Sequence, residues 1–499
     1  MSAISEEIEL KFLCEAADVE ALLAAAPPGE DRSIALTATY FDTPERRLRD
    51  LGAGLRIREE PEGRRQTLKT GKGLRRQEYE IALERDGLDP SHAPLRDLLG
   101  REHVARLEPL FAVRVQRRLR AVAWDGAQIE LALDEGEIIA GGRKTRLCEV
   151  ELELKSGEPA ALFALARRLF EAAPLYLSFE TKADRGFALV EGDSPAPDHA
   201  PDHAPGHAPV RLSREMTAAA AFQAICRTAL AQIAAKGLIL RQGGDSPEAI
   251  HQLRVAIRRL RSAMSTFGAL VAGEPLDTLK GELKWLASAC DEARNLDVFL
   301  EETYRPAALA GAAIHGLADL GQALEAARGK AHARARAAAA STRFRALLLE
   351  LHAWIETGDW LAGLQGGGGP ARDFAEGALS GLRRKLAKQG KGLMSLSDAQ
   401  RHQVRIQAKK LRYAAEAFAP LLADKAARRL IKKTRALQTA LGALNDGATA
   451  EALLASLGLE GPALYAAGHL AGEIAAGREA RMAAAARAWS AYRDVEDPW

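Results

Sequence analysis

The tract GDSPAPDHAPDHAPGHAP at residues 192–209 divides this chain into two parts with different periodicities. Its closely spaced prolines remove helical amide donors and favour a semi-extended connector. His199, His203 and His207 recur every fourth residue, but Pro201, Pro205 and Pro209 prevent the helix that would align them on a metal, so the tract reads as a solvated linker. Before it, apolar residues alternate with a period of two; after it they follow the helical period. The expectation is a multidomain α+β chain: a strand-rich domain over 1–190, a linker over 191–210, and an all-α domain over 211–499.

Composition narrows the function classes. The 69 basic and 67 acidic residues leave a formal charge of +2, so any charge-driven function depends on local arrangement, and nothing in the balance marks a nucleic-acid binder. Cys14, Cys148, Cys226 and Cys290 are widely separated and form no CxxC pair, which indicates neither a zinc site nor a disulfide framework and fits a reducing compartment. The start MSAISEEIELK is acidic, and no later window holds eighteen uncharged apolar residues. A soluble cytoplasmic protein without a membrane segment is expected.

Short alternating runs fill the first part, among them TATYFD, GLRIRE, RRQTLK, RQEYEIAL, IELALDEGEI and CEVELELK, with one helix near EPAALFALARRLFEAA. Charges occupy one face of many of these runs. Glu7, Glu9 and Lys11 lie opposite Ile8, Leu10 and Phe12; Arg56 and Arg58 opposite Leu55 and Ile57; Arg76, Glu78 and Glu80 opposite Tyr79 and Ile81; Glu149, Glu151 and Glu153 opposite Val150, Leu152 and Leu154. Lys69, Asp134, Lys182 and Arg185 stand in similar segments. A single charged face is ordinarily a solvated one. Three carboxylates on one face, however, repel unless a cation sits among them, and neighbouring arginines and lysines require an anion. A phosphate chain bridges metal and guanidinium groups well, and a closed barrel with a charged interior satisfies the whole set.

EIELK, YFDTP, GLRIR, TLKTG, LALDEGEI, EVELELKSG and TKADRGF, in this order over residues 4–190, resemble the CYTH family of triphosphate tunnel metalloenzymes. The resemblance implies an eight-stranded antiparallel tunnel barrel with flanking helices that binds a triphosphate and Mg2+ or Mn2+. It further implies Glu7, Glu9, Glu149 and Glu151 as metal ligands. Lys11, Arg56, Arg58, Lys69, Lys182 and Arg185 then form the phosphate-binding set, joined by Arg117 or Arg118 of RVQRR; Lys11, Arg56, Arg58 and Lys69 are the catalytic candidates. Asp134, Glu78 and Glu80 match acidic positions, and Glu153 extends the pattern. The reaction favoured by such a site is hydrolysis of a terminal phosphoanhydride, driven mainly by positioning and electrostatics. Relatives include adenylate cyclases, thiamine triphosphatases and inorganic triphosphatases. With aromatic residues at 5% of the chain, ring stacking on an organic substrate has little support.

The second part is Ala-rich and contains an internal repeat. SPEAIHQLRVAIRRLR from Ser246 and SDAQRHQVRIQAKKLR from Ser397 align at an offset of 151, which also carries Arg294 and Asn295 onto Asn445 and Asp446. Two homologous helical bundles follow, over about 211–362 and 373–499, separated by the glycines at 366–369. His251, Arg254, Arg258 and Arg261 fall within an arc of about 80° on a helix, beside an apolar face of Leu253, Ile257, Leu260 and Met264. His402, Arg405, Lys409 and Arg412 repeat the stripe, and Ser246 with Pro247 and Ser397 with Gln400 read as helix starts. Two stripes in one register describe a pseudo-symmetric basic groove for a long polyanion.

HQLRVAIRRLR, ARNLDVF, HQVRIQAKKLRYAAE and LQTALGALND resemble the CHAD domain, over roughly residues 211–499. The resemblance implies inorganic polyphosphate as partner, with Arg259, Lys410 and Lys433 as additional contacts. Asn295 stands where the second copy has Asp446, so the copies are not strictly equivalent. The combined expectation is a metal-dependent inorganic triphosphatase that splits tripolyphosphate into pyrophosphate and phosphate, fused to a polyphosphate-binding domain. An adenylate cyclase or thiamine triphosphatase is the enzymatic alternative, and a non-catalytic polyphosphate-binding protein the alternative from another class. Nucleic acid is disfavoured because the stripes lack interleaved aromatics.

Overall fold

The computed structural model describes residues 3–71, 73–192, 210–243, 247–310 and 314–497. Residues 193–209, with the three linker histidines, and Ser246 lie outside the described residues. The chain forms two compact units: residues 1–208 with 348–357, and residues 209–347 with 358–499.

In the first unit, β1 (Ala3–Leu13), β2 (Gly29–Asp42), β3 (Ala53–Glu60), β4 (Gly63–Thr70), β5 (Arg75–Leu83), β6 (Glu108–Trp124), β7 (Ala127–Ala140) and β8 (Arg143–Ser156) make one antiparallel sheet. Their order is β5-β4-β3-β2-β6-β7-β8-β1, and β1 pairs back onto β5, with Glu7 opposite Arg76, so the sheet closes into the expected eight-stranded barrel. Closure pairs β1 with β5, the two strands that would be the edges of an open sheet. A two-residue strand, β9 (Tyr176–Leu177), adds to β1.

Alternation then decides which side chains face inward. Phe12, Val150 and Leu152 turn to the outer face and are fully buried, with helix Ala160–Ala172 contributing Phe163, Leu165 and Leu169 to the core. Phe12 meets Phe170 of that helix edge-on at 5.6 Å. Truncating Phe12 to Ala would cost roughly 3–5 kcal/mol in such a setting.

Alongside this one expected helix, the unit contains helices Val19–Ala25, Arg47–Asp50, Ala93–Leu99, Arg101–Val104 and Lys182–Glu191. Most are too short to show a period, and local hydrogen bonds hold them. Asp42 of YFDTP accepts from the backbone N–H groups of Thr43, Leu48 and Arg49 at 2.7, 2.9 and 3.1 Å, tying β2 to helix Arg47–Asp50. Thr181 and Asp184 make a reciprocal capping box for Lys182–Glu191. Lys182 and Arg185 are therefore helical, correcting the strand-like reading: the capping box and the Gly186 contact outweigh the apparent alternation. A Cβ at Gly186 would lie 2.1 Å from the Phe111 ring, so only glycine admits this helix so close to β6.

The second unit is mostly helical. Ala218–Arg241, Pro247–Thr266, Glu274–Ala289, Asp291–Phe299 and Leu317–Ala340 recur, 151 positions on, as Ala371–Gln389, Asp398–Phe418, the continuous Asp424–Ser456, and the pair Gly461–Ala476 and Arg478–Arg493. Phe267 and Phe418, related by the same offset, meet at 5.6 Å, and Phe267 stacks on Phe374 at 4.3 Å. The copies also exchange backbone bonds at their starts, from the Ala218 N–H to the Gly369 carbonyl and from the Ala371 N–H to the Met216 carbonyl, both 2.9 Å. Ser397 caps Asp398–Phe418 in a capping box with Gln400, as its sequence predicts. Ala218–Arg241 is long and apolar enough to cross a membrane, but 56% of its apolar window is buried within the structure.

Candidate active site

The barrel interior encloses a cavity of about 670 Å³. β1 contributes Glu7, Glu9 and Lys11; β3 Arg56 and Arg58; β4 Lys69; β5 Arg76, Glu78 and Glu80; β6 Arg117; β8 Glu151 and Glu153; and the start of the last helix Lys182. Charges of both signs thus converge from separate strands because each lies on the inward side of its own alternation.

Two acidic groupings emerge. Single oxygens of Asp134, Glu149 and Glu151 lie within 4.8 Å of one another, with Asp134 and Glu149 buried. Lys182 Nζ donates to Glu151 at 2.8 Å, pairs with Asp134 at 2.8 Å and also contacts Glu149. Arg117 donates from Nε and Nη2 to the two oxygens of Asp134 at 2.7 and 2.6 Å, and from Nη2 to Glu151 at 2.8 Å. Lys11 adds a 2.9 Å pair with Glu151. Burial works to raise the Glu151 carboxyl, but Lys11, Lys182 and Arg117 override it and hold it well below the usual range. For Lys182 burial works to lower the ammonium, and Asp134 and Glu149 keep it well above its ordinary value.

The second grouping is Glu7 and Glu9. Burial works to raise Glu7, while Lys69 and Arg76 bring it below the ordinary value. Glu9 is raised, first by burial and then by Glu151. Glu9 Oε1 and Glu149 Oε2 are buried and accept no hydrogen bond among the described residues. Arg76 stands 3.3 Å from Glu9 Oε1 and Arg185 3.9 Å from Glu149 Oε2, so cations balance these oxygens without filling their lone pairs, and carboxylate oxygens with spare acceptor capacity fit a hard divalent cation.

On the opposite wall, Arg56 donates to the Tyr40 hydroxyl at 3.4 Å, and Tyr40 stacks on Phe111 at 4.8 Å. Arg58 is paired with Glu60 at 2.7 Å and lies 3.4 Å from Glu80. Glu180, before the capping box, lines the cavity, and its carboxyl is pushed up to about 7, mainly by burial and against the pull of Arg185. The sequence reading did not single out Tyr40 or Glu180. YFDTP contains Tyr40 at the inward register of β2, a signal that was available; Glu180 lies outside any strand, and only the tertiary fold brings it in.

Two expected phosphate contacts do not line the cavity. Arg118 is outward on β6, bonded to Glu20 at 2.5 Å and Glu135 at 3.0 Å, because alternation admits only one of two adjacent arginines and Arg117 occupies the inner face. Arg185 turns its guanidinium to the Arg146 carbonyl at 2.6 Å, one helical turn beyond Lys182. Cys14 and Cys148, which their spacing did not mark as a pair, are brought together, Sγ to Sγ 3.3 Å.

In the second unit, helices Pro247–Thr266 and Asp398–Phe418 pack together and their basic stripes converge. Lys409 is lowered to about 7 by burial, then by Arg405 and Arg258, and Arg254 to about 10 by burial, then by Arg258. His251 is lowered too, by burial and then by Arg294. Arg254 is paired with Asp291, and Arg405 with Asp446 at 3.6 Å. The 151-residue offset carries Asp291 onto Gly442 and Asp446 back onto Asn295, so each stripe arginine finds its carboxylate about one helical turn from where its counterpart does. His402 pairs with Asn445 at 2.6 Å, and Arg412 donates to Gln438 at 2.7 Å and Glu416 at 2.8 Å. Lys410 is lowered by burial first and further by Lys385 and Arg261.

A closed antiparallel barrel with metal-compatible carboxylates and inward guanidinium groups defines the tunnel class, and a pseudo-symmetric helical unit with converging basic stripes accompanies it. Residues 5–187 match the CYTH domain family and residues 224–455 the CHAD domain family. The chain is a member of both, a CYTH domain joined to a CHAD domain. It is 36% identical over 195 residues to an inorganic triphosphatase of Haemophilus influenzae, covering 37% of this chain and 55% of that protein, so the match spans about half the relative's length. The CHAD domain of the plant Ricinus communis is 31% identical, with a TM-score of 0.51, over 59% of this chain and 99% of that one. PptA from Streptomyces chartreusis is 20% identical, with a TM-score of 0.44, over 55% of this chain and 100% of that one.

Proposed function

We propose that this protein is a metal-dependent inorganic triphosphatase, splitting tripolyphosphate into pyrophosphate and phosphate, and that its helical domain binds inorganic polyphosphate in the cytoplasm. The observation that carries this reading is the barrel cavity, in which Arg56, Arg58, Lys69 and Arg117 face Glu7, Glu9 and Glu151. The similarity to the inorganic triphosphatase of Haemophilus influenzae supports it.

Glu7, Glu9, Glu149 and Glu151, with Asp134, would hold Mg2+ or Mn2+. When bound, the ion supplies charge neutralisation and polarisation of a phosphoryl oxygen. Arg56, Arg58, Arg117 and Lys69 bind and orient the phosphate chain, each donating to oxygens whose charge grows as the terminal bridge breaks. Lys11 and Lys182 keep the carboxylates ionised. Tyr40 fixes the Arg56 fork. The converging arginines of the helical unit, with Lys409, form a polyanion site that loses affinity as salt rises.

Phosphate release from tripolyphosphate, ATP and thiamine triphosphate, each with magnesium, manganese or chelator, tests the proposal. Metal-dependent release from tripolyphosphate is expected to exceed the others. Dominant release from an organic triphosphate, or formation of cyclic AMP, would replace the substrate assignment.

A further inference from the structure

We propose that Cys14 and Cys148 form a thiol–disulfide site that reversibly cross-links β1 to β8. The two residues continue the antiparallel register in which Phe12 faces Val150 and Leu13 faces Glu149, and the Cys14 N–H donates to the Cys148 carbonyl at 3.3 Å. Directly opposed, hydrogen-bonded positions have Cα atoms about 5.5 Å apart, inside the range a disulfide spans. Their sulfurs are 3.3 Å apart, so bonding at about 2.05 Å needs only a small side-chain shift.

Strand alternation puts Cys148 on the face away from the tunnel, with Val150, so an oxidant reaches it without entering the cavity. Cys14 is 8% exposed and Cys148 half-buried, which makes Cys148 the attacking thiol and Cys14 the resolving one. Its other cross-strand neighbour, Glu135, is already engaged by Arg118 at 3.0 Å. Cys226 and Cys290 are fully buried and serve as internal controls.

The co-reactant is a low-molecular-weight disulfide such as oxidised glutathione. The Cys148 thiolate attacks one of its sulfurs, forming a mixed disulfide and releasing one glutathione thiolate. Cys14, giving up its proton, then attacks the Cys148 sulfur and expels the second glutathione. Two electrons pass to the glutathione disulfide, which leaves as two thiols, and the protein retains one S–S bond.

The proposal stands apart from the triphosphatase reading, and its test needs no substrate. The folded full-length protein is equilibrated with oxidised glutathione, alkylated, digested with trypsin and analysed without reductant. The expected result is a linked pair of the peptides 12–32 and 147–155, about 2 Da lighter than the two thiol peptides together and separated by dithiothreitol. The oxidised protein should also melt higher than the reduced one by about 5 °C, since the bond spans 134 residues, and this difference should vanish in Cys14→Ser and in Cys148→Ala. Complete alkylation of both thiols, separate glutathione adducts without a link, or linkage only in denaturant would each overturn the proposal.

Discussion

Lys69 Nζ donates to both carboxylate oxygens of Glu7, at 2.7 and 2.8 Å, although β5 lies between their strands in the barrel wall. The pair couples a candidate metal ligand to a candidate phosphate ligand. Glu7→Gln keeps the side-chain shape but removes the charge that both partners need. We expect phosphate release to fall by about 100-fold or more and the melting temperature to drop by a few degrees, because the neutral amide also leaves Lys69 and Arg76 without their counter-charge. Full metal-dependent turnover in the variant would remove Glu7 from the site.

Arg117 and Arg118 are adjacent in sequence and opposite in environment. Arg117→Ala leaves the buried Asp134 without its two-pronged donor and is expected to destabilise the fold by about 3 kcal/mol, along with loss of turnover. Arg118→Ala removes partly exposed pairs with Glu20 and Glu135 and should cost less than about 1 kcal/mol. Urea titration of both variants checks the pair, and equal losses would contradict the inward and outward placement.

Glu180 is expected to govern part of the pH profile. With its carboxyl raised to about 7, chiefly by burial, it is neutral below that value and adds a negative charge to the cavity above it. KM for tripolyphosphate should therefore rise between about pH 6 and 8, and Glu180→Gln should flatten that rise. An unchanged profile in the variant would assign the titration elsewhere.

Polyphosphate binding should depend on the helical stripes alone. Arg254→Ala combined with Arg405→Ala is expected to weaken polyphosphate affinity about tenfold or more and leave tripolyphosphate turnover unaltered, as read by binding isotherms and phosphate release. Unchanged polyphosphate affinity in the double variant would remove the groove.

Lys409 gives that groove a pH response. Lowered to about 7 by burial and its arginine neighbours, it is charged below that value, so affinity should decline as pH rises past it. Lys409→Met should bind more weakly at low pH and lose this step; a step that persists would belong to another group.

Much of this was legible in the sequence because local periodicity records which face of an element is buried. Alternation put the charges of EIELK and EVELELK on one face, the recurrence of such faces over several strands pointed that face inward, and the 151-residue offset exposed the helical duplication. The charge of Glu7 required an internal partner, but alternation does not say which: that Lys69 rather than the adjacent β5 Arg76 donates to both its oxygens follows from barrel closure. Choosing Arg117 over Arg118 needed the register of β6, where one residue of slip exchanges the faces. Lys182 reached the cavity through a helix, Glu180 through the segment before it, and Cys14 met Cys148 across a closed seam; each depends on contacts between distant residues, which no local pattern encodes. The sequence by itself determined the two periodicities and the residue chemistry of each face, because those are properties of neighbouring residues. Tertiary structure alone decided the pairings, because burial, ion pairs and shifted proton affinities arise only when separate elements are closed upon one another.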